Sequence, residues 1–223
     1  MFEKKICFIV PAFNEEKTIL DIVIKLKKYG HVIVINDAST DRTKEIINKL
    51  DVIPVHHMTN LGYDLSLNSG FNKAKELKMD FAITFDADGQ HDVNDAKKII
   101  QFLLKGSSVV SGKRKYLPRI SEKFFSYYTR KFHNITDALC GLKGYNIKDC
   151  IDIGILDKDN KIGTKILLNC KRKNLNFTEI EIGDRRRTDV SRYGNILKAN
   201  IKIFWTLLET ILNDLLKCLK IIK

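Results

Sequence analysis

Short apolar runs alternate with segments of helical spacing through the first half of this 223-residue chain. Continuous apolar runs joined by amphipathic helices are typical of parallel strands that helices cover on both faces. The sequence therefore predicts an α/β fold with a mostly parallel sheet. We expect strands at 6–10, 32–35, 52–55, 81–85 and 109–110, and helices at 15–29, 40–50, 65–77 and 93–104.

Polar side chains directly follow three of these expected strands. Asn14 and Glu15 come after the first, Asn36 and Asp37 after the second, and Asp-Ala-Asp at 86–88 after the fourth. Ligands of parallel sheets bind beyond the carboxyl ends of the strands. This placement predicts a ligand site at that edge.

Composition narrows the class of protein. Five cysteines, an odd number, without any C-x-x-C spacing indicate reduced thiols and a cytoplasmic protein. We find no signal peptide and no apolar run long enough to span a membrane. The net charge of +12 calls for an anionic partner. No nucleic-acid motif accompanies that charge, so we expect a membrane or a phosphorylated substrate rather than nucleic acid.

The pair Asp86 and Asp88 has the strongest chemical signal. Residues two apart in an extended segment point to the same side, and two carboxylates held there repel each other unless a cation lies between them. Hard oxygen ligands with open positions suit Mg²⁺ or Mn²⁺ carrying a diphosphate. Gln90 or His91 is a candidate further ligand. The alternative is a solvated turn in which the aspartates cap a helix.

Four segments in this order resemble inverting GT-A glycosyltransferases of family 2. Residues 9–16 (IVPAFNEE) are similar to their opening, and residues 36–41 (NDASTD) to their D-x-S-x-D segment. Residues 60–63 (NLGY), with Gly70, resemble their N-x-G helix start. Residues 85–91 (FDADGQH) resemble the metal motif of the dolichyl- and polyprenyl-phosphate sugar transferase branch.

The resemblance implies a GT-A, Rossmann-like domain over 1–194, with a donor-binding half (1–112) and an acceptor-side half (113–194). It also implies that the donor and its metal are bound by a defined set of side chains. Those for the nucleotide are Pro11, Phe13, Glu15 and Asp37; those for the metal and diphosphate are Asp86, Ala87, Asp88, Gln90 and, in a G-x-R-like segment, Arg114. Asp37 and Asp41 have an alternative role as caps of the helix that follows.

The acceptor side matches the family more loosely. Residues 186–192 resemble an R-x-x-G-x-S-K element, but Asp189 replaces its glycine and Arg192 its lysine. Asp64 likewise replaces a usual glycine in the third segment. The resemblance implies acceptor binding by Arg130, Arg186, Ser191 and Arg192.

The acceptor also decides which residues are catalytic. We expect Asp88 and Arg114 to stabilise the leaving diphosphate. A hydroxyl acceptor needs a base, for which Asp137 is the candidate, whereas a lipid phosphate is already ionised and needs only cations. Asp137 as a helix cap is the alternative.

The final segment, 195–223, predicts one long amphipathic helix. Its apolar stripe has steps of three and four, and several lysines and the sole tryptophan, Trp205, accompany it. Such a helix can lie in a membrane interface, or it can pack on the domain or on another subunit of a homo-oligomer.

The sequence thus predicts metal-dependent, inverting transfer of a sugar from a UDP- or GDP-linked donor to a polyprenyl phosphate or a lipid-linked or cell-surface glycan. We expect the enzyme to lie peripherally on the cytoplasmic face of the membrane. Two alternatives stay open: a nucleotidyltransferase acting on a sugar phosphate, and a non-enzymatic basic membrane-binding module.

Overall fold

The computed structural model describes residues 4–152, 162–183 and 196–219. Seven strands and eight helices lie within these ranges. The strands are β1 (Ile6–Ala12), β2 (His31–Asn36), β3 (Ile53–His56), β4 (Phe81–Thr84), β5 (Val109–Lys113), β6 (Lys143–Asn146) and β7 (Phe177–Glu181). The helices are α1 (Ile19–Leu26), α2 (Thr43–Lys49), α3 (Tyr63–Glu76), α4 (Val93–Leu104), α5 (Ile120–His133), α6 (Ile147–Asp152), α7 (Ile162–Arg172) and α8 (Ile196–Cys218).

The strands form one sheet in the order β3-β2-β1-β4-β6-β5-β7. All neighbouring pairs are parallel except those of β6, which is antiparallel to both β4 and β5. The prediction of a mostly parallel α/β sheet is confirmed. Strands β6 and β7 were not predicted, because no clear apolar run marks them in the sequence. Helices α5 to α7 were not predicted either.

Helices cover both faces of the sheet, and the side chains of β1 alternate between the two faces. Cys7 and Ile9 belong to a core cluster that contains the inner faces of α3 and α7. Phe8 and Val10 belong to the opposite cluster, with α1 and α4. All four are fully buried, so β1 is apolar on both sides, as its unbroken apolar run predicts.

Helix α8 packs alongside α5 and joins the first of these clusters through Leu207. Its buried positions include Ala199 and Thr210, which did not belong to the apolar stripe expected from spacing. Most of that stripe faces outward instead, including Leu197, Leu208 and Leu219. Within the described ranges, no helix is long and apolar enough to cross a membrane.

We predict opposite outcomes for two substitutions in the core. The rings of Phe71 and Tyr145 meet edge to face at 5.2 Å, and both residues are buried. Phe71→Ala should lower the free energy of unfolding by ~3–5 kcal/mol, because it leaves a cavity. The buried Tyr145 hydroxyl has no hydrogen-bond partner among the described residues, so Tyr145→Phe should cost no stability. Urea denaturation measures both, and a loss above ~1 kcal/mol in Tyr145→Phe would reveal an unseen partner for the hydroxyl.

Candidate active site

The chain segments that leave β1, β2, β4 and β5 all emerge at one edge of the sheet. Strands β2 and β4 flank β1 and run parallel to it. Strand β5 runs in the same direction, because two antiparallel pairings separate it from β4. The edge therefore collects the segments that begin with Phe13, Asp37, Phe85 and Arg114, as the positions of the polar clusters predicted.

Backbone and side-chain hydrogen bonds join the segments after β1 and β2. Asn14 N–H donates to Ser39 Oγ at 3.1 Å, and Thr40 N–H donates to Asn14 Oδ1 at 2.8 Å. Glu15 N–H donates to Thr43 Oγ1 at 2.8 Å, and the Glu15 side chain is buried. Pro11 lies buried within β1, whereas Phe13 is half-buried just beyond it. The segments that carry the residues predicted to meet the nucleotide are thus hydrogen-bonded to each other.

The Asp37 carboxylate holds the segment that precedes α3. Its Oδ1 accepts from Leu61 N–H at 2.9 Å and its Oδ2 from Gly62 N–H at 2.8 Å. Gly62 has a φ of +88°, a conformation that favours glycine. The His57 ring also contacts Oδ1, at 2.7 Å. Asp37 therefore does not cap the helix that follows it; any nucleotide contact it makes must use its remaining lone pairs.

Asp41 supports the start of α2 from one residue before the N-cap position, which Arg42 occupies. Its Oδ1 accepts from Thr43 N–H, the first residue of α2, at 2.9 Å, and its Oδ2 accepts from Glu16 N–H at 3.1 Å. Burial opposes the charge, but these hydrogen bonds outweigh it and lower the pKa of Asp41. The contacts of Asp41 are therefore structural, at the start of α2 and in the loop after β1.

Each oxygen of the Asp86 carboxylate has a protein neighbour. The Tyr63 hydroxyl donates to Oδ1 at 2.9 Å, and His91 Nε2 lies 3.0 Å from Oδ2. Burial opposes a charge on His91, but its contact with Asp86 outweighs that effect and raises the pKa of His91. A Cβ on Gly141 would lie 2.1 Å from Asp86 Oδ2, so only glycine permits this close approach.

The Asp-Ala-Asp turn is anchored to the first loop and closes on itself. The Thr18 hydroxyl donates to the Ala87 carbonyl at 2.6 Å and lies 3.1 Å from Glu15 Oε2. Asp88 Oδ1 accepts from Gln90 N–H at 3.1 Å across Gly89, whose φ is +77°. Asp86, Asp88 and Gln90 thus share one tight turn at the sheet edge.

These side-chain oxygens fit a metal ion that binds together with a substrate phosphate. Among the described residues, no three His, Cys, Asp or Glu side chains form a preassembled metal cluster. Mg²⁺ and similar ions bind through one or two carboxylates together with substrate phosphates and water, so a carboxylate pair is sufficient. Asp86 and Asp88, with Gln90 beside them, would hold such an ion.

Arg114 is held by a bidentate ion pair with Asp137. Its Nε donates to Oδ2 at 2.7 Å and its Nη2 to Oδ1 at 3.0 Å. Glu122, buried on α5, lies 3.8 Å from Arg114 Nη1. Burial opposes the charge, but the Asp137 contact outweighs it and raises the pKa of Arg114 further. Arg114 and Asp137, predicted to be separate catalytic groups, form one unit.

Hydrogen bonds with Glu179 and Lys143 hold the segment that carries Asp137. Glu179 on β7 accepts from Thr136 N–H at 2.8 Å and from Asp137 N–H at 3.1 Å. Lys143 is buried at the start of β6 and donates from Nζ to the Ala138 carbonyl at 2.9 Å. Burial lowers the pKa of Lys143. Hydrogen bonds therefore fix the position of the loop before β6 next to the site.

The predicted acceptor residues are only partly covered by the structure. Arg130 is exposed on the outer side of α5. It lies eight residues, or about 12 Å of helix, beyond Glu122, the α5 residue next to Arg114. Arg186, Ser191 and Arg192 lie outside the described residues. Acceptor binding by these four side chains stays a prediction.

Several residues of this site were not assigned a role from the sequence. Tyr63, Thr18, His57 and Glu122 contact the predicted groups. Lys143 donates to the carbonyl of Ala138, the residue after Asp137. Tyr63 belongs to the N-x-G segment, so its position next to the metal motif was within reach of motif reasoning. Thr18 and His57 carry no local signal, since their contacts join residues far apart in sequence.

Residues 7–164 match the model of the family described as Glycosyl transferase family 2. The chain is 32% identical to an uncharacterised protein of Methanocaldococcus jannaschii, over 80% of each chain. It is 29% identical to the UDP-N-acetylglucosamine–dolichyl-phosphate N-acetylglucosaminyltransferase of Methanococcus voltae, over 93% of this chain and 96% of that one.

Solved structures agree with the fold. Glucosyl-3-phosphoglycerate synthase from Mycobacterium tuberculosis, in complex with Mn²⁺, uridine diphosphate and phosphoglyceric acid, superposes with a TM-score of 0.69 at 15% identity. The match covers 92% of this chain and 78% of that one, and confirms the GT-A architecture. The family match over most of the chain, together with the motifs at the sheet edge, shows that this chain is a glycosyltransferase of family 2.

Proposed function

We propose that this enzyme transfers a sugar from a nucleotide-sugar donor to a polyprenyl phosphate, with inversion and with a divalent metal. The observation that carries the proposal is the convergence of Asp86, Asp88 and Arg114 at one edge of the sheet. The relative from Methanococcus voltae, named for UDP-N-acetylglucosamine and dolichyl phosphate, supports a UDP-linked donor and a lipid phosphate acceptor. A GDP-linked donor is the variant to test beside it.

The residues at this edge suit departure of a diphosphate. When bound at Asp86 and Asp88, Mg²⁺ or Mn²⁺ would act as a Lewis acid on the leaving group. Arg114 is oriented before the donor arrives, and its guanidinium keeps N–H groups beyond the two that Asp137 accepts. A hydrogen-bond donor that the protein has already positioned stabilises developing negative charge without reorganising.

The Arg114–Asp137 pair favours a phosphate acceptor over a hydroxyl. A general base must reach the proton that it removes, but both Asp137 oxygens accept from Arg114 and the side chain is buried. An ionised lipid phosphate needs no base. We therefore assign Asp137 to positioning Arg114, and glycan hydroxyl acceptors become the less favoured alternative.

A lipid acceptor requires contact with a membrane, which we assign to the segment 195–223. Helix α8 exposes Leu197, Trp205 and Leu208 to solvent. We place the enzyme on the cytoplasmic side, since Cys7, Cys140, Cys150 and Cys170 are free thiols and thiols persist in reducing compartments.

The first prediction concerns the metal carboxylates. Asp88→Asn should abolish sugar transfer and weaken binding of UDP in the presence of Mn²⁺, because it removes a charged ligand. A thermal-shift titration measures this, since ~100 Kd of a ligand stabilises the native state by about 2.7 kcal/mol. Asp51→Asn, at an exposed carboxylate far from the site, is the matched control. Unchanged Mn²⁺ dependence and turnover in Asp88→Asn would overturn the metal assignment.

The second prediction tests the close approach of Gly141 to Asp86. In Gly141→Ala the new methyl must displace the Asp86 carboxylate, which is the movable partner. We expect metal-dependent UDP binding to weaken at least about tenfold while the melting temperature stays near that of the wild type. Gly106→Ala, where a Cβ meets no neighbour but φ is +98°, should show the reverse pattern: a lower melting temperature with normal UDP binding. Normal UDP binding by Gly141→Ala would contradict the geometry.

The third prediction separates the two roles of Asp137. If Asp137 positions Arg114, Asp137→Asn should lower kcat by a factor that is the same at every pH. If Asp137 is a base for a hydroxyl acceptor, Asp137→Asn should lower kcat by roughly 10²–10⁴ and should also change the pH dependence of the rate. The pH profiles of kcat for the wild type and the variant, measured with a glycan hydroxyl acceptor and with a short-chain polyprenyl phosphate, decide between them.

A further inference from the structure

The outer face of α5 carries apolar and cationic side chains together. They recur at intervals of three and four residues, which places them on one side of a helix. All of them are exposed: Ile120, Lys123, Phe124, Tyr127, Arg130 and Lys131. Phe124 and Tyr127 are 55% and 67% exposed, which is unusual for aromatic side chains in a helix that also has a buried face.

Contacts along their length hold α5 and α8 side by side. Ser121 N–H and Oγ both donate to Asn200 Oδ1, at 3.2 and 2.6 Å. Further along, Asp214 accepts from the Tyr128 hydroxyl at 2.8 Å and contacts His133 at 2.7 Å. Residue numbers rise together on both helices, so the helices are parallel neighbours with fixed register.

The exposed faces of the two helices join at an aromatic pair. The rings of Phe124 and Phe204 lie 5.9 Å apart, and both side chains also contact solvent. From this pair, exposed apolar side chains continue along α8 in both directions: Leu197, Ile201, Trp205, Leu208, Leu212, Leu215 and Leu219. Soluble monomers rarely expose a continuous apolar patch larger than a few hundred Å² unless something binds it.

Charge distinguishes an anionic membrane from a second copy of the chain as the occupant. Lys123, Arg130, Lys131 and Lys202 are exposed on α5 and α8, whereas Glu209 is the exposed acidic residue on the described part of α8. If this face packed against the same face of a second copy, like charges would lie opposite each other, which is destabilising. Anionic headgroups would neutralise the cations while the aromatic and aliphatic side chains enter the acyl boundary.

We propose that α5 and α8 together form a single surface, the α5–α8 surface, that binds anionic membranes. This inference rests on the proposed function for its purpose, delivery of a lipid phosphate, but extends the membrane contact from the terminal helix to α5. The inner side of α5 carries Glu122, which lies 3.8 Å from Arg114. The membrane-binding helix is therefore also a wall of the active site.

The test is cosedimentation of the full chain with vesicles of phosphatidylcholine, with and without phosphatidylglycerol. Tyr127→Ser and the double variant Phe124→Ser/Tyr127→Ser on α5 should lower the partition coefficient at least about tenfold, as should Trp205→Ser/Leu208→Ser on α8. Leu20→Ser/Ile24→Ser, which removes exposed apolar side chains from α1, is the matched control and should bind normally.

Charge reversal provides a second, independent arm. Lys123→Glu/Lys131→Glu should lower binding to phosphatidylglycerol vesicles about tenfold or more and should reduce the dependence of binding on salt. Lys28→Glu/Lys49→Glu, at exposed positions on another side of the molecule, is its control. The change in net charge is the same in both pairs, so only location differs.

Two results would overturn the inference. Full binding by the α5 variants, with loss only in the α8 variant, would confine membrane contact to α8. Absence of vesicle binding, with self-association that Phe124→Ser/Tyr127→Ser abolishes, would make the surface a subunit interface. UDP-dependent thermal stabilisation and transfer to a detergent-solubilised polyprenyl phosphate are read in parallel. Their failure beside normal vesicle binding would reject the proposed function and leave the surface intact.

Discussion

The antiparallel pairing of β6 with β4 is the constraint on which the active site depends. Its register sets Lys143 opposite Thr84, so the loop before β6 emerges at the same edge as the loop after β4. That loop brings Gly141 against Asp86 and Asp137 against Arg114. A parallel strand in this position would have sent the same loop to the opposite edge, and Arg114 would lack its partner.

Local sequence patterns were sufficient for the first half of the fold. Apolar runs and helical spacing predicted five strands near their observed positions and placed α4 at its observed bounds, where Asp92 accepts from Asn94 N–H as a cap. Strand β6 gave no such signal, because its sequence, KGYN, is not an apolar run. It is a strand because β4 and β5 pair with it on both sides. The Arg114–Asp137 pair was hidden for the same reason: it joins residues that only this pairing brings together.

The terminal helix shows a different limit of sequence reasoning. Spacing predicted that a helix forms near 195–223, but it did not reveal which side packs on the domain. The strongest apolar stripe faces outward. The packed side includes the buried residues Ala199 and Thr210, and Asn200 and Asp214, which bond to α5. Small side chains allow close approach and polar ones make specific hydrogen bonds, so a less apolar face became the packed one. The apolar stripe therefore stays exposed on α8.

The distribution of charge is consistent with the proposed metal although the chain is strongly basic. Glu122 and Asp137 each contact a guanidinium, that of Arg119 at 2.5 Å and that of Arg114 at 2.7 Å, whereas Asp86 contacts the His91 ring at 3.0 Å. A free diphosphate at Asp86 and Asp88 would be repelled by their carboxylates. A divalent cation bound with the diphosphate would offset that repulsion, whereas the lysines and arginines of α5 lie on the outer surface. The exposed cations of α5 contribute to the overall charge of +12, and the proposed metal would supply positive charge at the carboxylate pair.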